Sequence, residues 1–122
     1  MKKFAIILIL VVLIVTGCHV ERKVFKGSVV EKDKRFEMAY TLFNGEQKAL
    51  VQFDAGDNLS VEIVNTTGSV DMAFSLVGGE IVYSGMDQKN ASFGIIVPKE
   101  GTYEVSVTGH QAEGKIYIKT VR

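Results

Sequence analysis

Thr102-Tyr103-Glu104-Val105-Ser106-Val107-Thr108 alternates without a break. Tyr103, Val105 and Val107 fall on one side, Glu104 and Ser106 on the other. A period of two belongs to an extended strand with one buried face, because successive side chains leave opposite sides of the chain. Lys115 to Val121 repeats it, with Ile116 and Ile118 opposite Lys115, Tyr117 and Lys119. Between the two runs, His110-Gln111-Ala112-Glu113 lies bracketed by Gly109 and Gly114, so the pair is predicted to be a hairpin. Working towards the N-terminus, the same alternation recurs in Leu59/Val61/Ile63, Val70/Met72/Phe74/Leu76 and Phe93/Ile95/Val97. It also recurs in Phe36/Met38/Tyr40/Leu42 and, more weakly, in Ala49/Val51/Phe53, while Val24 to Val30 supplies a first strand.

Turn signals separate these runs: Asn44-Gly45, Ala55 to Asn58, Asn65 to Gly68, Gly78-Gly79, and Pro98 to Gly101. Gly and Asn tolerate the positive φ such turns need, and Pro presets the φ of a turn's second position. No segment carries helical spacing for ten residues or more. The expectation is an all-β chain: one antiparallel, jelly-roll-like β-sandwich of about eight strands over residues 24–122. Tyr103, Val105, Val107, Ile116, Ile118, Phe74, Val61 and Phe93 are its expected core.

The segment Phe93 to Val107, with an apolar strand, a Pro98-x-x-Gly101-x-Tyr103 turn and an alternating strand, resembles bacterial pre-peptidase C-terminal and GOLD-like sandwiches. Phe53 to Val61 is similar to the strand-turn-strand that opens them. The resemblance implies an accessory or binding module of the kind appended to secreted enzymes, here expected without an enzyme domain of its own.

Ahead of the sandwich, Met1-Lys2-Lys3 precedes an apolar run from Phe4 to Val15 and then Thr16-Gly17-Cys18. A positive start, a short greasy stretch and a small-residue cleavage site are the order of a secretion signal. The run falls short of the about 20 apolar residues that span a bilayer. Val15-Thr16-Gly17-Cys18 resembles the lipobox of bacterial lipoproteins, which implies diacylglycerol on Cys18 and cleavage before it. The expected layout is a signal peptide over 1–17, a lipidated tether over 18–23, and the domain from 24 onward. Its expected location is the outer side of a cytoplasmic membrane or an outer membrane.

Without Lys2 and Lys3, twelve basic side chains face fourteen acidic ones, a net charge of about −2. Nucleic-acid binding, which needs a basic surface, is not expected. Six cations, Arg22, Lys23, Lys26, Lys32, Lys34 and Arg35, fall in the first stretch after the anchor, and the remainder is acidic. Arg22, Lys23 and Lys26 are the candidate membrane-facing residues. The tether reaches only about 20 Å even when extended, so the Arg22 to Lys34 side is expected to face the head groups. Cys18 is the single cysteine, and the lipidation that the lipobox resemblance implies consumes it, leaving neither a disulfide nor a thiol nucleophile.

Chemistry-bearing residues are few. His19 lies in the tether and His110 in the last loop, where Glu113 is the candidate to orient it; no serine stands in a nucleophile-elbow setting. Asp54 and Asp57 flank a glycine turn beside Asn58, and such oxygens suit calcium if Asp71 or Asp87 joins them. The plainer reading is turn residues bonding their own backbone. Phe43 and Tyr117 are the outward aromatics, and Tyr83 lies beside a Gly-rich turn. Tyr83 and Tyr117 are a candidate surface for a glycan, the plainer reading being strand residues that cover their neighbours. Leu50, Val64 and Ile96 would mark an envelope protein partner if they cluster. The expected function is a membrane-anchored, non-enzymatic binding or accessory module. A calcium-stabilised structural module is the alternative, and a hydrolase ranks last.

Overall fold

The structure, a computed structural model, describes residues 23–32 and 34–121. Cys18, His19, Arg22 and the stretch read as a signal peptide lie outside the described residues. Within them run β1 (Val24–Lys32), β2 (Arg35–Phe53), β3 (Asn58–Leu76), β4 (Ile81–Gln88), β5 (Asn90–Ile96) and β6 (Gly101–Val121). Every pairing is antiparallel, in the order β1-β2-β6-β3-β4 with β5 also on β3.

β2 and β3 have 19 residues each and β6 has 21. Straight, each would extend about 60 Å at about 3.3 Å per residue, too long for a domain of about 100 residues with a radius of gyration near 13 Å. They bend instead. Register slips fall at Tyr40/Phe43 and Phe43/Gly45 between β2 and β6, and at Asn65/Thr67 and Thr67/Ser69 between β3 and β6. Such irregularities turn a strand while leaving its ladder intact on either side. Before the bend, residues 35–40 and 58–65 both pair with the second half of β6; after it, 45–53 and 69–76 pair with the first half.

The result is two layers sharing three strands. Layer A holds β1, the first halves of β2 and β3, the second half of β6, and β5. Layer B holds the other halves and β4. The folded ends meet again at the far side, where Gly56 N–H donates to the Val97 carbonyl at 2.8 Å.

At the bend the backbones approach closely. A Cβ on Gly114 would sit 2.0 Å from the Val64 carbonyl oxygen. Gly68 has φ +68°, and its Cβ would sit 2.3 Å from the Gln111 carbonyl oxygen. Tyr40 is buried there and donates to Asn65 Oδ1 at 2.6 Å, while Asn65 Nδ2 donates to the Gln88 and Lys89 carbonyls. Burial pushes the Tyr40 phenol up to about 12, against the opposing pull of the Asn65 hydrogen bond. Tyr40→Phe leaves Asn65 Oδ1 without its donor, and should cost about 1–3 kcal/mol as a lowered urea midpoint.

The expected sandwich and its core are present. Val61, Phe74, Tyr103, Val105, Val107, Ile116 and Ile118 are all fully buried, and Phe93 packs half-buried against them. Phe74 stacks on Tyr103 with centroids 4.8 Å apart, and the Tyr103 hydroxyl donates to the Lys99 carbonyl at 2.6 Å. The Pro98-x-x-Gly101-x-Tyr103 turn is thereby closed by its own tyrosine.

Three local expectations are corrected. Residues 103–108 and 115–121 are not a hairpin: they are two halves of one strand, in different layers, with 109–114 as the bend. Asn44-Gly45 and Asn65 to Gly68 likewise bend β2 and β3 without reversing them. Phe43 does not face outward; the slip beside it turns its ring inward against Phe25 and Tyr40, and it is fully buried.

Candidate functional site

Folding the sheet brings together the β1–β2 turn, the β2–β3 turn and the end of β6. Lys34, with φ 59°, stands in the first of these turns. Its ammonium pairs with Asp54 and lies 3.4 Å from Asp57 Oδ2, which also accepts the Asp54 N–H at 2.8 Å. The hydrogen bond to Asp54 raises the Lys34 pKa above its ordinary value, over the opposing cost of desolvation. A side-chain cation thus engages both carboxylates proposed as calcium ligands. Among the described residues, no three His, Cys, Asp or Glu side chains converge in a metal-holding geometry. Beside this turn opens a groove of about 520 Å³, lined by Lys34, Arg35, Asp57, Asn58, Lys119 and Val121.

Asp71 and Asp87 lie elsewhere, near the bend. Asp71 Oδ1 accepts the Asp87 N–H at 2.8 Å, and Asp71 Oδ2 meets His110 Nε2 at 2.8 Å. His110 is therefore engaged by Asp71, not by Glu113. Ser69, directly across from His110, gives its hydroxyl proton to Asp87 at 2.7 Å.

Burial alone would raise the Asp71 pKa. The Asp87 N–H and His110 outweigh it and hold the carboxyl below its ordinary value. A depressed carboxylate contributes stability above its unfolded pKa and loses it as pH falls through the folded one. Asp71→Asn should therefore flatten the acid limb of stability below about pH 4, modestly because the group is partly solvated, as read by urea midpoints across pH.

Tyr117 lies on the outer face of layer A, with the Lys119 ammonium 4.7 Å and the Lys115 ammonium 5.7 Å from its ring centroid. Ammonium groups over an aromatic face are attracted to the ring quadrupole. Tyr83 is on β4 in layer B, stacked on Phe93 at 4.3 Å and accepting from Gln88 Nε2 at 2.6 Å. The two tyrosines do not share a patch. Leu50 and Ile96 are exposed on different layers, and Val64 is half-buried, so those three do not cluster.

Lys23 and Lys26 are exposed near the bend, at the start of β1, whereas Lys32 and Lys34 stand at its other end. Sequence reading missed the cations brought alongside from β6. Lys119 pairs with Arg35, and Arg35 with Lys32, in one row across the sheet.

The search against family models gives no match, and neither does the search of curated proteins. Solved structures do match. The pre-peptidase C-terminal domain of a collagenase from Bacillus anthracis superposes with TM-score 0.50 at 10% identity, covering 75% of this chain and 91% of that one. The likeness is one of fold. Accessory secretory protein 1, 2 and 3 in Streptococcus pneumoniae matches with TM-score 0.41 at 12% identity, over 84% of this chain and 99% of that one. The Drosophila melanogaster CENP-C cupin domain matches with TM-score 0.42 at 13% identity, over 78% and 75%.

Proposed function

We propose that this chain is a bacterial lipoprotein: a β-sandwich held on the outer side of a membrane by acyl chains on Cys18, serving as a non-enzymatic binding or accessory module of the envelope. The observation that carries the reading is Val15-Thr16-Gly17-Cys18 directly after Lys2-Lys3 and the apolar run from Phe4 to Val15. A thioether-linked diacylglycerol supplies two chains, and each buried CH₂ contributes about 0.8 kcal/mol, so two chains hold where one exchanges. Likeness of fold to a module found in a collagenase supports the accessory role. His110 Nε2 is held by Asp71 and the Ser69 hydroxyl donates to Asp87, so neither is committed to the other, and a hydrolase stays last among the readings.

Cys18→Ala should move the protein out of the membrane fraction or leave it as an uncleaved precursor. Fractionation of cells expressing each form reads the difference. An alanine variant that fractionates and is cleaved like the original would refute the anchor.

A further inference from the structure

The two outer faces of the sandwich carry opposite charge. Register places Lys26, Lys32, Arg35, Lys115 and Lys119 on the outer face of layer A, against Glu37 and Glu62. Arg35 Nε lies 3.4 Å from Glu37 Oε2, so one of the two carboxylates is already paired. The outer face of layer B has Lys48 against Glu46, Asp71 and Glu104, with Asp87 hydrogen-bonded to Asp71 beside them. Each face is internally of one net sign, and the two lie back to back across the core.

We infer that the outer face of layer A docks flat on an anionic bilayer. The inference deepens the lipoprotein reading and rests on it. Three features favour a bilayer over a soluble polyanion. First, apolar side chains rim the cations: Val30, Leu42, Val121 and Ile96 are 39, 38, 51 and 70% exposed. Asn58 pairs with Val121 on one side and Ile96 on the other, which sets those two about 10 Å apart at the same end of the face. A membrane interface takes up charge and apolar surface together, whereas a soluble polyanion rewards charge alone. Second, Tyr117 stands at the centre of the face, an amphipathic ring of the kind that settles at head-group level. Third, β1, the first strand and the one nearest the proposed anchor, is the edge of this same layer.

Five strands about 4.8 Å apart make a plate about 20 Å wide, enough for every cation on it to reach head groups at once. Repulsion of layer B from the same surface fixes which side faces down, within the Debye length of about 10 Å at 0.1 M salt.

The test is an amine-labelling footprint of the full chain reconstituted in phosphatidylcholine vesicles, with or without one third phosphatidylglycerol, read by mass spectrometry at each lysine. Labelling of Lys32, Lys115 and Lys119 should fall several-fold on the anionic vesicles and recover in high salt, while Lys48 on layer B stays unchanged. Lys115→Gln/Lys119→Gln should restore Lys32 labelling, since each cation is worth about fivefold in partition. Equal labelling of Lys48 and the layer A lysines would overturn the inference. So would protection of the layer A lysines by a soluble acidic polysaccharide but not by vesicles. Flotation with the neutral vesicles reports the anchor separately. A chain that fails to float there but is footprinted on anionic vesicles keeps the face and loses the lipid; one that floats without a selective footprint keeps the lipid and loses the face.

Discussion

Val105→Asp should leave no folded domain. Val105 is fully buried at the middle of the first half of β6, paired with Ala49 on one side and Phe74 on the other. A carboxylate there has no cation and no donor, and burying it unpaired costs several kcal/mol, comparable with the 5–15 kcal/mol that holds a typical domain of this size. Circular dichroism should lose its sheet signal, and limited proteolysis should digest the chain. Val105→Ala removes two methyl groups without adding charge. It should cost about 2 kcal/mol, remain folded, and melt about 10 °C lower. A cooperative melt for the aspartate within a few degrees of the original would mean that position 105 is not in the core.

Gly114→Val should cost about 3 kcal/mol or more. The clash is with backbone, the Val64 carbonyl oxygen at 2.0 Å and the Asn65 Cα at 2.7 Å, so no rotamer change relieves it. Gly94→Ala is the matched control. It lies on the exposed side of β5, where a Cβ would meet only the Leu59 carbonyl oxygen at 3.5 Å, an ordinary contact. Alanine there restricts the unfolded chain at no native cost, and should be neutral or gain up to about 1 kcal/mol. Thermal melts of the two variants separate a bend with touching backbones from a flexible loop, since a loop would accept valine at 114 as readily as alanine at 94.

Period two made the inner faces of nearly every strand legible, because a strand with one buried face must alternate whichever layer it serves. Chain reversal was not legible at the bend. Glycine and asparagine are required where a strand slips register and two backbones touch, as at Gly114 and Gly68, and the same residues are required in a tight turn. Deciding between them needs the partner strand, and that information is spread over residues 40–45, 65–69 and 109–114 together. Phe43 was misplaced for the same reason, since a slip beside it inverts the face that simple alternation assigns.

Lys34 meets Asp54 and Asp57 because the bend brings the two ends of β2 together, whereas His110 meets Asp71 through the cross-strand register of β3 and β6 beside the bend. No local pattern encodes them. The Lys32, Arg35 and Lys119 row is likewise a product of cross-strand register, although the two charged stretches that form it were each visible alone.

Mass spectrometry of the intact protein extracted from membranes addresses the central claim most directly. Cleavage before Cys18 with diacylglycerol on its sulfur predicts a polypeptide that begins at Cys18 and carries the added mass of the lipid, localised to the N-terminal peptide. A chain that begins at Met1, or one cleaved elsewhere with Cys18 absent or unmodified, would contradict it.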